Sequence, residues 1–189
     1  MVVPSSVGRA STRLAGTCLM ASAVVGTVGV VSLVGMFAAF GAGAQEVGER
    51  LGYINDVSAF PTLLLAVPAV IELRRLVRPR SPLVMDSMTL LALGSIAGVL
   101  ALQWLLVTRA LTFAQQIGPV MVAYVGLHGW YVVSGWLASR SGVVPHGGRL
   151  GVAAVTYVGY PIWAASVGRR LRELADAQTA DPVRASAAR

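Results

Sequence analysis

The chain has 189 residues, of which 56% are hydrophobic and only 12% are charged, whereas about 25% of the residues of a soluble domain are charged. Its net charge is +7, and all fifteen basic residues are arginines. They lie in short segments between apolar runs, which indicates membrane-embedded helices and argues against a nucleic-acid partner. The single cysteine, Cys18, excludes an internal disulfide and a thiol-ligated metal cluster within one chain.

Long uncharged runs define the class of protein. Residues 88–108, 116–137 and 151–168 contain no charged side chain, and each run is 18 to 22 residues long. A helix needs about 20 residues, at roughly 1.5 Å per residue, to cross the hydrocarbon core of a bilayer. Three such runs predict an all-α integral membrane protein. Arginine without lysine, with many Ala, Gly and Val, is typical of a GC-rich bacterial genome, so the bacterial plasma membrane is the predicted location.

The first apolar segment, residues 14–43, has thirty residues without a charge and follows Arg9 and Arg13. A signal peptide is the alternative, because residues 42–44 have the small-x-small form of a cleavage site. The apolar core of a signal peptide is only about 7 to 15 residues long, so this length favours a span that is retained. Residues 1–13 are then predicted to be a cytoplasmic N-terminal segment.

The second apolar segment, residues 57–71, is only fifteen residues long and contains Pro61 and Pro68. Extended to residues 53–73, it is long enough to reach across a membrane. Proline removes a backbone donor and kinks a helix, which membrane helices tolerate when neighbouring groups satisfy the freed carbonyl. We therefore predict a short, proline-kinked second span, with a re-entrant segment as the alternative.

Three further spans are predicted at residues 87–108, 116–137 and 150–168. The predicted fold is a single bundle of five transmembrane helices within residues 14–172. The remaining residues, 173–189, are polar and rich in Ala, and they are predicted to form a disordered tail.

The arginines of the loops predict the orientation of the bundle. Cytoplasmic loops carry an excess of Arg and Lys. With five spans and a cytoplasmic N-terminus, eight arginines near span ends lie inside and five lie outside, whereas a four-span alternative gives six inside and seven outside. The five-span arrangement is therefore preferred, although it places Arg169, Arg170 and Arg172 outside, on the unfavourable side.

Small residues four apart predict where helices pack closely. Gly94 and Gly98 form such a pair in the third span, and Ala164 and Gly168 form another in the last. Small side chains let two helix backbones approach where lipid supplies no drive to associate. We expect packing within one chain. The alternative is that Gly94 and Gly98 form an interface with a second copy or with another membrane subunit.

His128 is a titratable residue near the middle of the fourth span, and Tyr124 and Tyr131 share its helix face at i−4 and i+3. An ionisable group inside a membrane indicates function by default, here proton transfer, haem ligation or binding of a polar ligand group. The alternative is a neutral structural histidine that bonds to Gln103 and to Tyr157 or Tyr160. The second histidine lies in a glycine-rich loop, so no haem, zinc or other cofactor is predicted.

Two carboxylates and several aromatic residues complete the candidate site. Glu72 and Asp86 flank the second loop and are candidates for one shared cytoplasmic site, although ion pairing of Glu72 with the adjacent Arg74 and Arg75 is the simpler explanation. Trp and Tyr residues of the fourth and fifth spans predict either an aromatic-lined pocket or membrane-interface anchors; they are Trp130, Tyr131, Trp136, Tyr157, Tyr160 and Trp163.

No phosphate-binding loop, nucleophile elbow, zinc-protease motif or Cys-x-x-Cys pair is present. The sequence therefore favours a small bacterial multi-pass protein that is a non-catalytic membrane component or subunit, with membrane lipids as its surroundings. The first alternative is a membrane-embedded enzyme acting on a lipid or isoprenoid substrate, for example a cyclase. Its candidate catalytic residues are His128, Tyr124, Tyr131, Glu72 and Asp86. The second alternative is a homo-oligomeric transporter.

Overall fold

The computed structural model describes the backbone of residues 6–143 and 159–187, and the side chains of residues 8–143 and 159–177. Regular structure in these ranges is helical throughout. A three-residue 3-10 helix, Arg78–Arg80, joins the second and third α-helices. The α-helices of the described ranges are α1 (Ser6–Gly41), α2 (Gln45–Val77), α3 (Pro82–Val107), α4 (Phe113–Arg140) and α5 (Tyr160–Ala187).

Helices α1 to α4 are long and apolar enough to cross a membrane. Their outward side chains are apolar, as a bilayer requires; Leu90, Val122 and Val125 are each at least 70% exposed. The prediction of five spans is not confirmed. Helix α5 is not among the helices that meet the length and hydropathy needed, and residues 144–158, which include the start of the predicted fifth span, lie outside the described residues.

The second helix is longer than the sequence predicted. It has 33 residues and continues as one helix through both Pro61 and Pro68, which favours a span over the re-entrant alternative. The apolar run predicts only the part of the helix that lipid can surround. The helix itself continues at both ends into polar sequence. At its start, Glu46 and Arg50 form an i,i+4 ion pair, which is a helix-stabilising spacing.

The last helix also continues beyond its predicted end. The backbone is helical to Ala187, where the sequence predicted a disordered tail. The segment is rich in Ala, the residue with the highest helix propensity, and Glu173 pairs with Arg169 and Arg170 one turn away. Local propensity and these i,i+3 and i,i+4 pairs favour helix even though the segment is polar.

The first four helices run alternately up and down. Contacts at different heights along each pair of neighbours define this arrangement. They are Thr12–Glu72 and Gly35–Leu51 between α1 and α2, Arg74–Asp86 and Phe60–Trp104 between α2 and α3, and Gln103–Gln116 and Ser95–Gly126 between α3 and α4.

Helix α5 breaks this alternation. Its first residue, Tyr160, contacts Ser22 in the middle of α1, and Gly168 packs against Gly16 nearer the α1 N-terminus, so α5 is antiparallel to α1. Against α4, the ring of Tyr160 lies beside Tyr131, and Arg170 donates a hydrogen bond to the Val143 carbonyl. Helix α5 is therefore parallel to α4.

This direction gathers the arginines at one end of the bundle. We call it the arginine-rich end; it comprises the N-terminus of α1, the α2–α3 connection and the C-terminal parts of α4 and α5. Ten of the arginines with described side chains lie there: Arg9, Arg13, Arg74, Arg75, Arg78, Arg80, Arg140, Arg169, Arg170 and Arg172. Arg50 and Arg109 lie at the opposite end. The expectation that the arginines after residue 168 lie opposite the N-terminus was wrong, because it assumed that every apolar run crosses the membrane once.

The small-residue pairs differ in what they contact. A Cβ atom added to Gly16 would lie 2.6 Å from the Gly168 carbonyl oxygen, so the backbones of α1 and α5 touch there. A Cβ atom added to Gly98 would lie 3.8 Å from the Cβ of Ala123 in α4, which is an ordinary contact distance. A Cβ atom added to Gly94 would meet nothing within 4 Å. Packing within the chain thus uses Gly168 and Gly98. An interface between copies at Gly94 stays a prediction.

Candidate functional site

A pocket lies among α1, α2, α4 and α5, close to mid-length of the spanning helices. Its empty space is about 400 Å³ when the part open to the surroundings is included, whereas its cavity volume alone is about 30 Å³. A ligand larger than a few atoms would therefore extend through the open side of the pocket. We call it the His128 pocket. Its apolar walls are Gly26, Val30, Ala59, Leu63 and Leu127, and its polar side chains are Thr62, Tyr124, His128, Tyr131 and Tyr160.

Aromatic side chains fill the space between α4 and α5 beside this pocket. Trp130, Tyr131, Tyr160 and Trp163 form an aromatic cluster, with ring centroids 4.6 Å apart between Tyr131 and Trp163 and 6.0 Å apart between the two tryptophans. Such offset and edge-on pairs each add about 0.5–1.5 kcal/mol to the burial of the rings. Four of the six predicted aromatic residues therefore meet, as a packed wall of the pocket.

The other two predicted aromatic residues are not part of this wall. Trp136 is half exposed, and the Arg140 guanidinium lies 4.2 Å from the centre of its ring, a cation–π contact at the arginine-rich end. Tyr157 lies outside the described residues.

The hydroxyl groups beside the pocket form a directed hydrogen-bond chain. Ser22 donates to the Thr62 carbonyl oxygen at 2.6 Å, and a carbonyl can only accept. Because Ser22 has one hydrogen, its contact with Tyr160 is one in which Tyr160 donates. The hydrogens of the Ser22 and Tyr160 hydroxyl groups are therefore used inside the protein.

His128 bonds to its own helix. Its Nδ1 lies 2.7 Å from the Tyr124 carbonyl oxygen, and the ring is half-buried, with the Tyr131 ring edge-on at 5.9 Å. In the described part of the chain, His128 has no hydrogen bond to Gln103 or Tyr160, so the prediction of these two partners was wrong. Tyr157, the other expected partner, lies outside the described residues. The carbonyl one turn earlier is always within reach of a helical side chain, so a local bond replaced the expected long-range ones.

Gln103 belongs to a different group at the opposite end of the bundle. Its carbonyl oxygen accepts from Gln116 at 3.1 Å, and the Asp56 carboxylate lies beside its side chain. Both glutamines are at least 95% buried. This Asp56 cluster joins α2, α3 and α4. Sequence reasoning missed it, although amide side chains inside otherwise apolar spans were the available signal.

Glu72 is buried at the arginine-rich end, where it connects α1 with α2. Its carboxylate accepts from Ser11 at 2.8 Å and Thr12 at 2.5 Å, and it forms an ion pair with Arg75. The ion-pair explanation is thus confirmed, with Arg75 as the partner.

Asp86 has arginine partners of its own. It accepts from Arg74 at 2.7 Å and from Arg78 at 3.1 Å. The structure therefore does not join Asp86 and Glu72 in one site. Glu72 is also nine residues beyond Leu63 of the pocket wall, about 14 Å along α2.

The five candidate catalytic residues thus divide into two groups. His128, Tyr124 and Tyr131 line the pocket, while Glu72 and Asp86 form ion pairs at the arginine-rich end. Within the described ranges, no group of three or more His, Cys, Asp or Glu side chains is placed to hold a metal ion. The pocket offers an apolar, aromatic surface with an imidazole and hydroxyl oxygens, a chemistry suited to holding an amphiphile.

Comparison of this chain with models of known protein families, with curated proteins and with solved structures yields no match.

Proposed function

We propose that this chain is a non-catalytic component of the bacterial plasma membrane that binds a lipophilic molecule in the His128 pocket. The pocket itself is the observation that supports this function. Its walls are mostly apolar or aromatic, and its polar side chains are one imidazole and four hydroxyl groups. Ligand sites typically combine predominantly apolar walls with a few placed polar groups.

A binding role is supported better than a catalytic one because of how the charged groups are arranged. Proton-transfer catalysis needs an acid or base within hydrogen-bond reach of the reacting group. The two candidate carboxylates are engaged by arginines at the arginine-rich end. An enzyme that uses all five candidate residues would need Glu72 and Asp86 at the pocket.

Filling the pocket is expected to prevent binding. Val30 lines the pocket, whereas Val31, the next residue of α1, is 65% exposed. Two photoreactive probes are used, a diazirine-bearing farnesol and its methyl ether, with purified protein in nanodiscs. We expect at least one probe to label pocket residues such as Leu63 and Leu127 in the wild type, as mapped by mass spectrometry. Val30→Phe should abolish this labelling, because the larger ring occupies the site.

Val31→Phe is the matched control, since it makes the same change on the outer face of the same helix. It should leave the labelling of the pocket unchanged. Labelling by both probes that is confined to outward-facing residues, or that is equal in the two variants, would rule out the proposed binding function.

The arginine-rich end is the cytoplasmic end in this proposal. Of the arginines with described side chains, ten lie at this end and two lie at the opposite end. The positive-inside rule associates such an excess of arginine with the cytoplasmic side. Anionic lipids of the cytoplasmic leaflet attract such clusters by about 1 kcal/mol per basic residue. Both the N-terminus of α1 and the C-terminal part of α5 are then cytoplasmic.

Cysteine labelling in intact cells tests this orientation, in a background in which Cys18 is replaced by serine. An impermeant maleimide should label Ala110→Cys, in the exposed α3–α4 connection. It should leave Ser81→Cys and Ala177→Cys unlabelled until the cells are permeabilised. Labelling of Ser81→Cys in intact cells would reverse the orientation, and labelling of Ala177→Cys alone would place the end of α5 outside.

A further inference from the structure

The hydrogen bonds around the His128 pocket determine which kind of polar group it can accept. The first is the bond from His128 to the Tyr124 carbonyl oxygen. Since a carbonyl only accepts, Nδ1 carries the hydrogen in this bond. A neutral imidazole has one donor and one acceptor, so Nε2 is the acceptor. In the described part of the chain, Nε2 has no hydrogen-bond partner.

The described lining of the pocket around His128 contains no acidic side chain and no arginine. Nε2 therefore has no charged side chain of the lining beside it, and it stays available as a hydrogen-bond acceptor.

Two other polar side chains of the pocket have already used their hydroxyl hydrogens. Thr62 donates its hydrogen to the Ser58 carbonyl oxygen at 2.7 Å. Tyr160 donates its hydrogen to Ser22, whose own hydrogen is used on the Thr62 carbonyl oxygen. Neither hydroxyl group has a hydrogen left to offer to a ligand.

We infer that the His128 pocket binds an amphiphilic alcohol, such as a long-chain or isoprenoid alcohol, whose hydroxyl group donates to Nε2 of His128. This inference rests on the proposed binding function and specifies its ligand. A ligand hydroxyl supplies a donor to Nε2 of His128. The apolar walls formed by Val30, Leu63 and Leu127 contact the part of the hydrocarbon chain nearest the hydroxyl group, and the rest of the chain extends through the open side of the pocket.

An ether, ester or ketone of the same shape is a poorer ligand. Its oxygen is only an acceptor and would face Nε2 of His128 without a hydrogen between them. Losing one neutral hydrogen bond reduces affinity by roughly three- to tenfold, and an unsatisfied acceptor facing another acceptor increases that loss. The pocket is thus expected to prefer an alcohol over its methyl ether by roughly tenfold.

The experiment is a competition between matched ligands. Unmodified farnesol and farnesyl methyl ether compete against the photoreactive probe that labels the pocket, in nanodiscs of uncharged phospholipid. We expect farnesol to displace the probe at roughly tenfold lower concentration in the wild type. His128→Phe should reduce this preference to about one, because phenylalanine keeps an aromatic ring but removes the acceptor.

His128→Gln is the control for the possibility that His128→Phe simply fails to fold. Its amide oxygen can accept from the ligand hydroxyl, so it should keep a preference for the alcohol. Equal displacement by farnesol and its ether in the wild type would overturn the hydroxyl inference and leave the binding function intact. An unchanged preference in His128→Phe would overturn the assignment to Nε2. If neither farnesol nor its methyl ether displaced the probe, the binding function itself would be overturned.

Discussion

Replacement of Glu72 by alanine is expected to lower the free energy of unfolding by about 3 kcal/mol. The carboxylate is 98% buried and accepts from Ser11, Thr12 and Arg75. Removing one partner of a buried ion pair costs about 3–5 kcal/mol, because the other charge is left uncompensated. The lower end applies here, since the Arg75 side chain is 44% exposed and water can solvate part of its charge. Unfolding in mixed micelles by added SDS, followed by tryptophan fluorescence, measures the change.

The chain supplies a matched control on the same helix. Glu46 forms an i,i+4 ion pair with Arg50, and both side chains are at least 75% exposed. Exposed pairs contribute only about 0–1 kcal/mol, so Glu46→Ala should change the free energy of unfolding by less than about 1 kcal/mol. Combining Glu72→Ala with Arg75→Leu should recover part of the loss, because the uncompensated charge is then gone. Equal effects of Glu72→Ala and Glu46→Ala would show that the Glu72 contacts do not stabilise the bundle.

The Glu72 contacts also illustrate what a sequence can predict about a buried charge. The adjacent arginines identified ion pairing as the simplest role, because residues three apart on a helix lie on one face. The bonds to Ser11 and Thr12 come from another helix. Such a bond depends on the rotation and height of both helices, which no single helical pattern contains.

Helix positions were predictable where apolar length alone determines them. A bilayer requires about 20 apolar residues per span. Helix α4 contains the whole predicted run 116–137, and α3 contains the predicted run 87–108 except for its last residue. The length of α2 was not predictable in this way, because its polar ends form helix without meeting lipid. The direction of α5 was not predictable either. The length of an apolar run predicts how many residues can be buried in lipid or protein. It does not predict the direction in which the helix runs.

The candidate site shows the same division between local and long-range information. Spacing on one helix correctly placed Tyr124, His128 and Tyr131 on one surface, and that surface lines the pocket. The Asp56 cluster draws one side chain from each of three helices, so periodicity within one helix could not reveal it. The expected partner Gln103 was taken from the correct neighbouring helix but lies at the wrong height.

Replacement of Gly16 by alanine is expected to weaken the attachment of α5 to the bundle. The added Cβ would lie 2.6 Å from the Gly168 carbonyl oxygen and 3.0 Å from the Arg172 backbone nitrogen. These are backbone atoms, so relief requires the two helices to move apart rather than a side chain to rotate. Overpacking of this kind costs about 1–3 kcal/mol, and Gly16→Val should exceed that range. The same SDS-induced unfolding measures the loss.

The consequence for function is specific, because α5 provides Tyr160 and Trp163 to the wall beside the His128 pocket. Separation of α1 and α5 would remove the bond from Tyr160 to Ser22 and open the aromatic cluster, so photolabelling of the pocket should fall together with stability. Gly94→Ala in α3 is the control, since a Cβ there would meet nothing within 4 Å and alanine has the higher helix propensity. It should leave both measurements at or above the wild-type value. If Gly16→Ala matched this control in stability and in labelling, the close contact of α1 with α5 would not hold the pocket together.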